Sequence, residues 1–255
     1  MTQAIQPVRL EHIPSIHATH ASGNVSERYG FIPTSTIVAA LEREGFVPVK
    51  ASAARSRPDR AAFAKHMIRF RHREHQVKQV GDWLPEVVLV NSHDGSSSYQ
   101  IMAGVFRLVC LNGLVVGNSI AEARVRHTKN AAEEIVDASY RVIESLPELS
   151  DGVREMQSIR LEPEERQAFA TAALTLRYPE DAPIRPEQLL SPRRHADQGN
   201  DLWTQFNIVQ EHLLKGGQRR ADSRRSTRKI SSVGEDVRLN RALWTLAEEL
   251  KRLKS

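Results

Sequence analysis

The stretch Glu86–Gly117, EVVLVNSHDGSSSYQIMAGVFRLVCLNGLVVG, decides the fold of this 255-residue chain. It is β-branched and apolar, and two turn signals divide it. Ser92-His93-Asp94-Gly95 follows the run Val87–Val90, and Asn112-Gly113 sits between two further apolar runs. Asn and Gly tolerate positive φ, so Asn-Gly in that setting is the strongest short-range hairpin signal. The pattern predicts three consecutive antiparallel strands, Glu86–Asn91, Ser98–Cys110 and Leu114–Gly117. Such a meander lets each strand pair with its sequence neighbour.

Upstream, Thr34 or Ser35 caps a predicted helix running to about Glu44, with Ile37, Val38 and Leu41 on one face and Gly45 as its stop. Phe46–Ala51 reads as a short strand, placed at an edge by Pro48. Ala64–Arg73 alternates, with His66, Ile68, Phe70 and His72 on one side and Met67, Arg69, Arg71 and Arg73 on the other. Alternate strand residues share a face, so three arginines are expected to line one sheet surface. Glu122–His127 repeats the pattern with Arg124 and Arg126.

Downstream the period changes to that of a helix. Ala131, Ile135, Ala138, Val142 and Leu146 recur at helical spacing, with Pro147 as the expected end. Further helices are predicted at about Ser150–Leu161, at Pro163–Arg177 and at Leu202–Lys215, the last capped by Asp201 and left through Gly216-Gly217. Glu235–Lys254 carries Leu239, Leu243, Leu246, Leu250 and Leu253 in a seam of two heptads. That is short for a free coiled coil, so the seam is expected to dock on the body before it dimerises. The expected class is α+β, a mostly antiparallel sheet in the N-terminal half followed by a helical C-terminal half. The expected segments are a loose arm over 1–25, a β-rich core over 26–128, acidic helices over 129–178, a proline-rich connector over 179–200, and helices flanking a basic loop over 201–255.

Composition bounds the function. An apolar content of 40% suffices for a globular core, and no run approaches the ~18 apolar residues of a membrane span. The start MTQAIQPVRLEHIP lacks the apolar centre of a signal peptide. Cys110 is the single cysteine and lies in an apolar strand, as a structural thiol in a reducing cytoplasm would. The net charge of +5 is unevenly placed: Lys50–Lys78 carries +7, Lys215–Lys229 carries +6, and Lys129–Leu190 carries −6. Concentrated positive charge is the footprint of a polyanion partner.

The candidate phosphate-gripping residues are Arg69, Arg71, Arg73, Arg107, Arg124 and Arg126 on the sheet, and Arg219, Arg220, Arg224, Arg225, Arg228 and Lys229 in the loop. Arginine makes bidentate phosphate contacts and stacks on bases. Arg107, inside an apolar run, is expected either to be paired or to reach the ligand. Gln218–Ser232 is Arg/Ser-rich and is expected to be mobile without a ligand. In Asn91–Ser98, His93 and Asp94, with Glu86, Asp82 or His66, form a possible metal or phosphate set, although Asn, Asp and Ser are also ordinary turn formers. The remaining histidines, His72, His75 and His127 among them, lack a tight ligand spacing. No Walker loop, GxSxG, GxGxxG or HExxH occurs. No cofactor is expected.

Several motifs together resemble a known family. They are RYGFIP at 28–33, GFVPV at 45–49, KHMIRFR at 65–71, PEVVLVNSHDGS at 85–96, FRLVCLNGL at 106–114 and LNRALW at 239–244. They resemble the prophage- and plasmid-borne "phage/plasmid-like" proteins whose core is a domain of unknown function. The resemblance implies residence on mobile elements, near genes of recombination, repair or defence. The leading expectation is a cytoplasmic nucleic-acid-binding accessory protein of a mobile element, with DNA favoured over RNA, acting in recombination, strand annealing or evasion of host defence. Two other classes stay open: a protein-binding inhibitor or scaffold, or homo-oligomer, that uses the acidic helices and the C-terminal seam, and a metal-dependent phosphodiesterase.

Overall fold

The computed structural model describes residues 7–254 except 27–28, 74–82, 108–112, 116–121 and 129; the side chains of 83–85, 105–107, 113–115 and 196 are likewise outside the description. The chain divides into two compact units, Met1–Pro147 with Ser232–Gly234, and Glu148–Ser231 with Glu235–Ser255.

The first unit is built on the predicted meander. Strands β1 (Phe46–Ala53), β2 (His66–His72), β3 (Trp83–Asn91), β4 (Tyr99–Arg107), β5 (Gly113–Val115) and β6 (Glu122–Val125) form one sheet. Every pairing in it is antiparallel, and β5 and β6 both pair with β4. The expected α+β class, with an antiparallel sheet first and helices after, is the observed one. Asn112 and Cys110 lie outside the described residues. Pro48, which has no N–H to donate, sits beside a register shift on edge strand β1, where its carbonyl accepts from Val8 N at 2.8 Å. Helix α1 (Thr34–Arg43) turns into β1 through Gly45, whose φ of 90° an L side chain rarely adopts.

One sheet face carries Phe46, Ile68, Phe70, Leu89 and Ile101, all fully buried, as are Ile37 and Leu41 of α1. Helix α2 (Ala131–Ser158) adds Tyr140, whose ring meets Phe46 edge-on at 5.6 Å.

The sequence departs from the structure at three places in these elements. Helix α2 does not end at Pro147 but runs on to Ser158, replacing the separate helix expected at Ser150–Leu161. The missing N–H and crowding of a mid-helix proline cost about 3 kcal/mol. Burial of Leu149, Val153 and Met156 beyond it offsets that cost. The N-terminal arm is also not loose over its described part. Ile13, Ile16 and Ala18 are buried around a short 3-10 turn at Pro14–Ile16, and Ser22 N donates to the His93 carbonyl at 2.9 Å. Finally, Thr34 is drawn away from capping: its hydroxyl is occupied by the cluster described below, and the residue before the helix is Pro33.

The second unit holds α3 (Pro163–Arg177), α4 (Leu202–Lys215) and α5 (Val233–Lys254), the first two with the predicted bounds. The Asp201 side chain caps α4 by accepting from Thr204 N at 2.8 Å. Leu239 and Leu243 of α5 are fully buried, and Trp244 meets Phe206 edge-on. The heptad seam is therefore used within this unit over its first turns, and only Leu253, 75% exposed, is left open. Among the described residues no helix is long and apolar enough to cross a membrane.

Candidate functional site

The Arg/Ser-rich loop after α4 is fixed, contrary to the expected mobility. Gly216, at φ 64°, turns the chain out of the helix. The segment then pairs with itself: Thr227 N donates to the Gln218 carbonyl at 2.8 Å, Gly217 N to Thr227 at 2.9 Å and Arg220 N to Arg225 at 3.0 Å. Ala221 N and Ile230 N reach Pro183 and Leu214. Polar side chains do not prevent order when backbone donors and acceptors are satisfied in this way. On this hairpin Arg219, Arg224, Arg225, Arg228 and Lys229 are exposed, with no ion-pair partner among the described residues. Arg220 differs, pairing with Asp222 at 2.6 Å. Gly216 controls the arrangement, since a Cβ there would lie 2.6 Å from the Thr227 carbonyl. Gly216→Ala is expected to speed tryptic cleavage at Arg224 and Arg225 by about tenfold or more through local opening; an unchanged rate argues against a fixed hairpin.

The sheet arginines behave differently. Arg69 is 6% exposed, and its Nε donates to Glu86 at 2.5 Å. Arg71 Nε donates to the other oxygen of the same buried carboxylate at 2.7 Å. Val88, Val90 and Met102, on the same sheet face, are buried as well. The expected open, arginine-lined sheet face is therefore corrected: period-two alternation placed these side chains on one side, but that side is covered and Glu86 holds two of the charges. Arg73 and Arg126 are exposed, Arg124 pairs with Glu122 at 3.0 Å, and the Arg107 side chain lies outside the described residues. Arg55, Arg57 and Arg60, in the loop between β1 and β2, are exposed without ion pairs among the described residues.

That loop rises from the end of the sheet where a buried polar cluster has formed. In an antiparallel meander the start of β2, the end of β3, the start of β4 and the end of β6 share one end of the sheet. This brings together His66, Asn91, His93, Tyr99 and His127, with Thr34 from α1 and Tyr29 from the preceding segment. Thr34 Oγ1 is the hub, 2.9 Å from His66 Nε2, 3.1 Å from His93 Nε2 and 3.1 Å from Asn91 Nδ2. His66 Nδ1 faces the Ala64 carbonyl at 3.0 Å and His127 Nε2 the Ser97 carbonyl at 3.1 Å. Tyr29 stacks on His127 with centroids 4.3 Å apart, and its hydroxyl donates to the Ser92 carbonyl at 3.3 Å.

Burial pushes His66 down to about 4, against the opposing effect of its bond to Ala64. Burial, followed by the neighbouring His66 and His127, pushes His93 down to about 4. His127 is lowered by burial too, and burial raises Tyr29 to about 12 with help from Asp94. All three imidazoles are therefore neutral at pH 7. Asp94 is a turn former here: it accepts from Ser92 Oγ at 2.7 Å and Ser96 N at 2.9 Å. Burial opposes its ionisation, but these bonds win and hold it below the usual carboxylate range. Among the described residues no group of three or more His, Cys, Asp or Glu side chains is placed so that it could hold a metal ion.

The NSHDGS motif thus supplies Asn91 and His93 to a buried cluster and Asp94 to its turn. The family model for "Domain of unknown function (DUF932)" matches residues 21–244. The chain belongs to the DUF932 family. It is similar to two proteins of Escherichia coli strain K12. It is 45% identical to "UPF0380 protein YafZ" over 243 residues, which is 93% of this chain and 88% of the relative. It is 44% identical to "UPF0380 protein YfjQ" over the same lengths. No solved structure matches. The DUF932 match takes in the histidine cluster from Tyr29 to His127 and the basic hairpin.

His127 and Tyr29 join the cluster through the fold and not through spacing. The available signal was positional: His66 and Asn91–His93 bracket strands predicted to be neighbours, so both fall at one sheet end.

Proposed function

We propose that this DUF932 protein binds nucleic acid, DNA in preference to RNA, as a cytoplasmic accessory factor of a mobile genetic element in recombination, strand annealing or evasion of host defence. The observation that carries the reading is the basic hairpin: Arg219, Arg224, Arg225, Arg228 and Lys229 are exposed and free of ion pairs among the described residues. The planar guanidinium fork loses less freedom per hydrogen bond formed than an ammonium does, and each phosphate neutralised releases condensed counterions. The Arg55, Arg57 and Arg60 loop of the first unit supports a second contact region. Arg69 and Arg71 leave the binding set because Glu86 already engages them. The link to mobile elements comes from the sequence resemblance.

Fluorescence anisotropy with labelled duplex and single-stranded DNA across a salt series tests the proposal. About five phosphate contacts predict a slope of log K against log salt of about −4 to −5. The variant R224A/R225A/R228A is expected to lower its magnitude by about 3. Absence of binding at low salt, or binding insensitive to salt, sinks the proposal.

A further inference from the structure

The basic hairpin changes character along its length. An antiparallel bridge joins Arg219 to Ser226, and Arg220 N donates to the Arg225 carbonyl at 3.0 Å. A strand that lies on a protein surface alternates covered and open side chains. The base of the hairpin does so: Gln218 and Thr227 are buried, while Arg219 and Arg228 are exposed. Past Arg220 the alternation stops, and every residue from Ala221 to Ser226 is exposed. Both faces of the ribbon are therefore open there, and its tip stands clear of the surface that holds its base.

That tip is supported from below. Gln218 N donates to Thr227 Oγ1 at 3.1 Å, Gln188 Nε2 to the Arg219 carbonyl at 3.0 Å and Ala221 N to the Pro183 carbonyl at 2.8 Å. Arg177 Nη2 donates to the Arg228 carbonyl. Asp222, the one acid of the hairpin, is already neutralised by Arg220 at 2.6 Å. Cations without an ion pair among the described residues stand on both arms: Arg219 on the first, and Arg224, Arg225, Arg228 and Lys229 on the second.

Shape then selects among polyanions. The two arms of a β-ribbon lie about 4.8 Å apart, and three residues an arm extend about 10 Å. The major groove of B-form DNA, about 12 Å wide and about 8.5 Å deep, admits such a ribbon, and the minor groove, about 6 Å wide, does not. The major groove of A-form RNA is too deep and narrow for side chains to read. Phosphates line both walls of a groove, so a ribbon with cations on both arms meets them on two sides, where a single strand offers one row.

We propose that the tip of this hairpin enters the major groove of duplex DNA, with Arg224 and Arg225 leading and the cations of both arms facing the phosphates of its walls. This docking rests on the nucleic-acid reading above and narrows the ligand to B-form duplex.

Dimethyl sulfate footprinting with the full-length protein reads both grooves at once, because the reagent methylates guanine N7 in the major groove and adenine N3 in the minor groove. Bound protein is expected to protect guanine N7 and to leave adenine N3 open. In anisotropy titrations a DNA duplex is expected to bind about tenfold or more tighter than an RNA duplex or a DNA single strand of the same sequence. The variant R224E/R225E changes two exposed side chains that make no ion pair among the described residues. It should keep the parent's circular dichroism spectrum and lose the N7 protection. Protection at adenine N3 in place of guanine N7, equal affinity for the three ligands, or N7 protection retained by R224E/R225E overturns groove entry and leaves nucleic-acid binding standing. No binding of any of the three at low salt overturns both.

Discussion

Glu86→Ala is expected to destabilise the protein by about 3–5 kcal/mol, enough to unfold a marginally stable domain. Glu86 is 1% exposed, and its two carboxylate oxygens lie 2.5 Å from Arg69 Nε and 2.7 Å from Arg71 Nε. Removing the carboxylate takes the Glu86 charge away from a guanidinium that is itself 6% exposed, in a water-poor region. Coulomb attraction at these separations is large only because the surroundings exclude water, and the same exclusion makes a lone charge expensive. Glu86→Gln keeps the shape and one acceptor but not the charge, and should fall between the parent and alanine. Replacing Arg69 and Glu86 together, as R69M/E86L, should recover part of the loss, since an apolar pair needs no compensation. Urea unfolding followed by circular dichroism reads the series. A cost below about 1 kcal/mol for Glu86→Ala would mean that water reaches the triad.

The second large effect is on pH. His66 and His93 titrate near 4 in the folded protein and near 6.5 when unfolded. The unfolded chain therefore binds more protons between those values, and stability must fall as pH drops through that window. Their contribution is complete above about pH 7, declines from about pH 6.5 and is exhausted below about pH 4. A depression of this size corresponds to about 3 kcal/mol for one fully buried histidine. The pair shares Thr34 and will not deliver twice that. His127 and His212, both lowered by burial, act in the same direction. Glu211 belongs to a lower window. Burial opposes its ionisation, but Arg194 and Lys215 hold it at about 2, so its loss comes only in stronger acid. Urea midpoints at pH 7.5 and pH 5 in the presence of a chelator should differ strongly for the parent. His66→Gln, which retains a polar side chain but cannot titrate, should flatten the difference. Equal midpoints for the parent at the two pH values would show that the cluster is hydrated.

Much of this was legible in the residues. Val87–Val90 before an Asn-Ser-His-Asp-Gly turn predicted β3, its turn and the antiparallel pairing with β4. Asp201 and Gly216 marked the ends of α4, and Pro163 opened α3, because caps and proline act within a few residues of where they stand. Pro147 misled, since its local cost is offset by Leu149, Val153 and Met156, whose burial is not a local property.

The sequence by itself determined the elements and the side of the strand on which each side chain projects, because backbone sterics and the period of two are local. Tertiary structure alone decided what each side meets. Arg69 and Arg71 were readable as a row, but only the pairing of β2 with β3 set Glu86 between them. His66, His93 and His127 are scattered over 62 residues of chain and share one site only through strand order and register, which depend on contacts that no short window of sequence contains.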